Sequence, residues 1–485
     1  MRTQTLGLTV ALLLAACGSA TSGDAGSGGG AGKSDGGAGG GGGGGGGSIS
    51  TGSLVDVATA NPDLSLLVGA IQKAGMTELL ADATKQYSLF APTNRAFVGL
   101  LVQLGITSGL EGLTAEQLRP ILKYHVLGQA LRSGPATVVA AANETVLTMG
   151  GRARLSLSGS TLRIDGRASV TKADVAASNG VIHVIDQLLL PSISDIVTSD
   201  PDFAGLAVAL VQADTATPSP NLVATLDEDA SPTGFTVFAP TNDGFTTFLD
   251  GLQGRDTGIA DLSSFRGDQL LPVLRYHLVA ARVLARETPS MGTVDVVGGK
   301  VSVVRTASGV TVDGAPVVFP DLVASNGFIH VIGKVLLPSI TDVVTTDVRF
   351  SSLKAAALAA DGNAGSTPKV AAALDGTQAF TLFAPSNAAF SALPMTPSGQ
   401  ALTNVLLYHA APGNPVFADA ALRLTMPLSV ATALSGQSLS VAAEGMPRGV
   451  TVADSTSMKA KVVQTNLFCA NGVIHVVDKV LAPSP

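Results

Sequence analysis

Between Arg152 and Gly166 the chain reads RARLSLSGSTLRIDG, with polar and apolar positions alternating on either side of a Gly-Ser turn. A period of two puts one set on each face of a strand, so the stretch predicts a β-hairpin. KVSVVRTASGVTVDG (Lys300–Gly314) repeats the pattern, and SLSVAAEGMPRGVTVAD (Ser438–Asp454) repeats it more weakly. Other segments are apolar without alternation. YSLF (Tyr87–Phe90) and FTVF (Phe235–Phe238) run into Ala-Pro and predict buried strands. In VIHVI (Val181–Ile185) both faces are apolar, which places His183 inside a doubly covered strand after an Asn-Gly turn.

Helix signals lie between these strands. Asn61, Asp200 and Asp347 are N-cap residues, and Pro62 and Pro201 follow at the first helical position, where a missing N–H costs nothing. After Ala-Pro, a Thr-Asn or Ser-Asn pair offers side-chain oxygens to helices beginning near Arg95, Gly244 and Ala388. Thr114 and Gln117 form a capping box ahead of the helix that ends at Tyr124-His125. Helices come first and strands later, an α+β order rather than a doubly wound sheet.

The same signals recur three times. LFAPTNRAF (Leu89–Phe97), VFAPTNDGF (Val237–Phe245) and LFAPSNAAF (Leu382–Phe390) are followed by LRPILKYH, LLPVLRYH and LTNVLLYH. Each set closes with NGVIHVID, NGFIHVIG or NGVIHVVD, then Leu and Pro. The landmark Phe moves from 90 to 238 to 383, steps of 148 and 145 residues. These are domain-sized steps, far beyond solenoid units of about 20–50 residues. All six histidines (125, 183, 277, 330, 409 and 475) fall inside the landmarks, and three of the four tyrosines precede one of them. The organisation predicted is a leader over 1–16, a tether over 17–51, and three copies over 52–190, 191–337 and 338–482.

Composition adds limits. With 36 acidic against 29 basic residues the net charge is −7, and no basic run tracks a phosphate backbone, so nucleic acid is excluded as a partner. Arg2 followed by the apolar Leu6–Leu14 stretch is a targeting segment too short to span a bilayer. Leu14-Ala15-Ala16-Cys17-Gly18 resembles a bacterial lipobox, in which Cys17 would be the lipid attachment site; an ordinary secretory signal cleaved near Ala20 is the alternative. Either predicts export. Acyl chains contribute about 0.8 kcal/mol per buried CH₂, so a Cys17 carrying several would hold the protein on a membrane, on the outer membrane if Gly18 follows the sorting logic of bacterial lipoproteins. Residues 18–50 are almost wholly Gly, Ser, Ala and Thr, a flexible tether with an r.m.s. span on the order of 30 Å. Ser34 within GKSDG matches a nucleophile pattern by letter but lacks the strand and helix that pattern requires. Cys469, the only other cysteine, reads as a buried apolar residue.

Taken together, FAPTN, Tyr-His and NGxIHVID followed by Leu-Pro resemble the fasciclin (FAS1) domain, in three tandem copies covering nearly all of residues 52–482. The resemblance implies an α+β domain with a wedge of β-strands packed against several helices. It also implies adhesion, matrix contact and surface attachment, with partners among cell-surface or extracellular matrix proteins and polysaccharides. It makes the Tyr-His pairs Tyr124-His125, Tyr276-His277 and Tyr408-His409 the candidate binding residues. The third copy departs from the pattern: Asn404 stands where the others have Pro120 and Pro272, and Ala-Ala-Pro-Gly follows His409. The binding role that the resemblance implies is therefore weakest there.

The residues themselves leave two readings of Tyr-His open: core groups whose O–H and N–H meet backbone partners, or a recognition surface. His183, His330 and His475 read as buried structural histidines, with Asp174 and Asp321 as candidate partners and Asn466 in the third copy. No HExxH, CxxC or clustered pair supplies metal ligands, and no motif calls for a cofactor. An active site is not expected in triplicate, so the expectation is a non-enzymatic, exported protein displayed at the cell envelope. A small-molecule or peptide binding module with a pocket in one copy, or a spacer in the envelope, is the alternative.

Overall fold

The computed structural model describes residues 52–484 apart from 228–232, 254, 256, 363–368 and 376–377. The leader over 1–16, the tether over 17–51 and Cys17 lie outside the described residues. In the first copy, α1 (Leu54–Thr59), α2 (Ser65–Lys73) and α3 (Thr77–Ala81) precede β1 (Tyr87–Pro92). Next come α4 (Asn94–Gln103), α5 (Ala115–Tyr124), β2 (Val126–Leu127) and α6 (Ser133–Ala141). The strands β3 (Thr145–Thr148), β4 (Gly151–Ser158), β5 (Thr161–Ile164), β6 (Ala168–Ala177) and β7 (Gly180–Ile185) complete it. The seven strands form one sheet in the order β2-β1-β7-β6-β5-β4-β3, and the other two copies reproduce that order. The fold class is thus α+β, three times over. The alternating stretch from Arg152 is the hairpin β4–β5, and its counterparts in the other copies pair likewise.

One pairing explains why the landmarks recur together. β1 and β7 are parallel neighbours, with Phe90 opposite His183; Phe238 and His330, and Phe383 and His475, occupy the same register. The Tyr-His helix ends against the same strand, because the amide of Phe90 donates to His125 O at 2.9 Å, as Phe238 does to His277 and Phe383 to His409. The three phrases are therefore neighbours in space, and the sheet divides two cores. On its helical side lie Leu67, Ile71, Leu89, Phe97 and Ile182; on the side of the wedge lie Phe90, Leu155, Ile164 and Ile185. Side-chain alternation along β1 is what sends Leu89 and Phe90 to opposite cores.

Two details of the helix starts differ from the sequence expectation. A helix precedes the one predicted at Asn61: Ser53 and Asp56 make a capping box for α1, and Ser192/Asp195 and Ser339/Asp342 do the same in the later copies. Asn61, Asp200 and Asp347 then each cap a single 3₁₀ turn before the next helix. The helix after Ala-Pro starts at the Asn itself, with Thr241 and Ser386 hydroxyls as caps at 3.1 Å. The Asn side chain is used elsewhere: Asn94 accepts from Leu66 N at 2.9 Å and donates to Pro62 O at 3.0 Å, tying α4 to the start of α2.

Consecutive copies dock through two recurring contacts. In the first, the capping-box carboxylate of one copy reaches back to the wedge of the copy before it, as Arg152 N donates to Asp195 Oδ1 at 2.9 Å. In the second, the Gln at the third position of the Tyr-His helix reaches forward to a bulged strand. Gln117 Nε2 donates to Asp321 O at 3.0 Å, and Gln269 Nε2 to Thr465 O at 3.1 Å. Apolar packing follows the same path: Val323 joins the first copy's helical core, and Phe417, Phe468 and Val473 of the third copy join the second's.

Candidate functional site

The six Tyr-His residues are all interior, none more than 4% exposed. Their chemistry is committed to the fold. Tyr124 Oη donates to Arg152 O at 2.9 Å and lies 3.1 Å from Asp165 Oδ2, clamping the end of α5 to β4. Tyr276 does the same with Lys300 O and Asp313, and Tyr408 donates to Ser438 O while accepting from Ser455 N. Burial, reinforced by Asp165 and Asp313, pushes the Tyr124 and Tyr276 hydroxyls above the usual phenol range. His125 Nδ1 meets Ile121 O one helical turn back at 2.7 Å, and its Nε2 accepts from Leu189 N at 3.0 Å. His277 and His409 repeat both bonds. An imidazole that donates from Nδ1 and accepts at Nε2 is neutral, and burial holds all three at a pKa of about 4. The changed sequence around His409 leaves this arrangement intact.

The strand histidines carry the opposite tautomer. His183 Nε2 donates to Leu131 O at 2.8 Å, while Nδ1 accepts from the amide of Asp174 at 3.4 Å. His330 and His475 match, using Val283 O and Val416 O and the amides of Asp321 and Asn466. Asp174 and Asp321 are therefore partners through their backbone. Their side chains do another task, capping a following segment: Asp174 Oδ1 accepts from Ser133 N, Asp321 Oδ1 from Ala285 N and Asn466 Oδ1 from Ala418 N, at 2.8–2.9 Å. The cap needs one carbonyl-type oxygen, which Asn supplies as well as Asp, and the Asn466 Nδ2 donates in addition to Thr257 O at 3.3 Å. All three stand at positive φ, between 55° and 58°, where Asp and Asn are the favoured non-glycine residues. His330 Nδ1 is 3.7 Å from Asp321 Oδ1, but burial depresses its pKa, so the contact is dipolar rather than ionic.

The Asn of each Asn-Gly turn is a residue whose job sequence reading missed. Asn179 Oδ1 accepts from Leu54 N at 2.8 Å, and its Nδ2 donates to Leu80 O at 2.8 Å and Asp82 O at 3.2 Å. Asn326 and Asn471 make the matching bonds to Ile193 N and Leu226 O, and to Ile340 N and Leu374 O. The following Gly has no alternative, since a Cβ at Gly180 would sit 2.0 Å from Tyr87 O at φ +152°. The threefold recurrence of Asn-Gly was the available signal; a hairpin turn alone explained too little of it.

The arrangement offers little for chemistry on a substrate. Both ring nitrogens of every histidine are taken up by the fold, and burial raises the Cys469 thiol well above its usual range. Among the described residues no group of three His, Cys, Asp or Glu comes together to hold a metal ion, and no helix is long and apolar enough to cross a membrane.

Repeated α+β modules, each a seven-stranded wedge sheet with its Tyr-His pair and strand histidine buried, define a tandem-domain protein. The fasciclin domain family matches residues 62–191, 210–338 and 362–483, and the chain belongs to that family. It is 26% identical over 449 residues to transforming growth factor-beta-induced protein ig-h3 of Sus scrofa, covering 90% of this chain and 58% of that protein. It is 28% identical over 467 residues to periostin of Homo sapiens, covering 89% of this chain and 47% of that protein. An uncharacterized protein of Synechocystis is 35% identical over 148 residues, 30% of this chain and 98% of its own length. The chain thus spans only about half the length of the two animal relatives it matches.

Proposed function

We propose that the chain is a non-enzymatic adhesion or matrix-binding protein, exported and displayed at the cell envelope on a lipid attached to Cys17 and a Gly-rich tether. Membership of the fasciclin family in all three copies carries this reading, with the copies bounded at 52–190, 191–337 and 338–482. Its partners are cell-surface or matrix proteins or polysaccharides, engaged by surfaces that recur along the array. Support comes from the wedges. β3 and its counterparts Met291–Val296 and Leu428–Ala431 are edge strands, and each carries or adjoins a large apolar side chain more than 70% exposed: Leu147, Met291 and Met426. Three such edges on one chain raise the effective concentration for a repetitive partner, so individually weak contacts add to useful avidity.

The test couples binding to anchoring. The purified full chain is expected to bind cells or isolated matrix in a sedimentation assay, and replacing Leu147, Met291 and Met426 together with Lys is expected to reduce binding at least tenfold while the circular dichroism spectrum is unchanged. Mass spectrometry of the native protein is expected to find acyl groups on Cys17, and protease applied to intact cells is expected to remove the three copies. A soluble, unacylated product would overturn the anchor, and undiminished adhesion after deletion of the gene would overturn the function.

A further inference from the structure

The second and third copies enclose a cleft of about 750 Å³ that their shared fold does not dictate. Its walls are Phe248, Leu252 and Phe417, its floor is Ala379, Ala470 and Gly472 with Cys469 beside them, and Arg255 and Asn414 stand at the rim. That volume lies inside the range of about 300–1,000 Å³ typical of small-molecule sites. The corresponding floor in the second copy is Gly234, Ser325 and Gly327, and there it is covered. Arg282 lies across it, its Nη2 donating to Ser325 O at 2.7 Å and its Nε so close that a Cβ on Gly234 would meet it at 2.4 Å. The residue at Arg282's position in the third copy is Pro415, as fixed by the next residue, whose carbonyl meets the strand histidine in both copies (Val283 O with His330, Val416 O with His475). Exchange of a long arginine for a ring that cannot reach the floor is what leaves this joint open.

We propose that this cleft binds an amphipathic carboxylate, its apolar body between Phe248, Leu252 and Phe417 and its carboxylate at Arg255. Two aromatic walls and an aliphatic one favour a flat or chain-like apolar body. The guanidinium is exposed, no carboxylate residue lines the cleft among the described residues, and Arg offers a planar fork matched to a carboxylate. Among the described lining residues the anionic end therefore has one cationic partner and no competing acid.

The test uses the full chain and 11-(dansylamino)undecanoate as the fluorescent probe. Saturable one-to-one binding with a blue-shifted dansyl emission is expected. Pro415→Arg, which installs the second copy's arginine over the third copy's floor, is expected to weaken binding at least tenfold. Arg255→Gln, at an exposed position that folding does not use, is expected to weaken the carboxylate about fivefold and leave the corresponding dansyl alcohol unchanged. Absence of saturable binding, or equal affinity in the Pro415→Arg chain with its melting temperature intact, would overturn the site. Equal loss of carboxylate and alcohol in Arg255→Gln would overturn the assignment of the anion.

Discussion

At the scale of single residues, the polar landmarks of this chain are internal fasteners. Asn179 satisfies the buried amide of Leu54 in α1 and two carbonyls, of Leu80 and Asp82, at the end of α3, so removing it takes a partner from two buried groups and one part-buried group at once. Asn179→Ala is expected to cost about 2–4 kcal/mol, seen as a lower urea midpoint, whereas Asn61→Ala at an exposed cap is expected to cost about 1 kcal/mol. The histidines give a pH signature. His125, His277, His409 and His475 are held neutral at a pKa of about 4 by burial, against about 6.5 when unfolded. Between these values the unfolded chain binds more protons than the folded one, so the stabilisation is complete above pH 6.5 and is lost as the pH falls toward 4. Each group contributes a slope of up to about 1.4 kcal/mol per pH unit in that window. Asp195 and Asp342, whose pKa burial raises, act in the opposite sense, so the assignment is best made by difference. Urea titrations at pH 4.5, 5.5 and 7 are expected to show a shallower pH dependence in His409→Asn than in the unaltered chain, and an identical slope would remove His409 from the account.

At the scale of elements, legibility followed locality. The hairpin from Arg152, the capping box of Thr114 and Gln117, and the buried strand around His183 were readable because each depends on residues a few positions apart. The parallel pairing of β1 with β7 joins residues over ninety positions apart, and only the repetition of both phrases hinted that they meet. Asn94 shows why a local rule fails: next to Ala-Pro-Thr it looks like a helix cap, yet its amide is claimed by α2, 28 residues away. The Tyr-His pairs were open between core and surface because a short amphipathic helix does not reveal what covers its end. Gln117 and Gln269 carry two tasks that sequence cannot separate. Each accepts from the backbone amide of its helix N-cap, Thr114 or Arg266, and also bonds to the next copy, whereas the third copy has Ala401 at that position. Gln269→Ala is thus expected to cost about 1–2 kcal/mol and to speed hydrogen exchange at the bulge around Thr465 and Asn466. Ala401→Gln, at an exposed helix position, is expected to change stability by less than about 0.5 kcal/mol. Unaltered exchange at Asn466 in the first variant would count against the joint as described.

For the whole molecule, the question is whether three copies behave as three domains or as one array. The second joint argues for coupling. Phe468 belongs to the third copy's strand Lys459–Cys469 yet packs into the second copy's core, with ring centroids 5.5 Å from Phe265, 6.4 Å from Phe248 and 6.1 Å from Phe417. It is 3% exposed, so the second copy cannot complete its core without the third. Copies sharing a core are expected to melt together, as nearest-neighbour terms join units in other repeat proteins. Phe468→Ala removes the shared ring at a cost of about 3–5 kcal/mol and is expected to split the calorimetric transition of the second and third copies into two. Leu439→Ala supplies the contrast. It empties a buried position in the third copy's wedge core, which the second copy does not touch, and is expected to lower the third copy's stability by about 2–4 kcal/mol while the two copies still unfold as a unit. Separate transitions in the unaltered chain, or an identical calorimetric profile for the two variants, would show that the joint aligns the copies without linking their stabilities. A joint that does link them holds the wedge edges of neighbouring copies at fixed spacing, and fixed spacing is what a repetitive partner would reward.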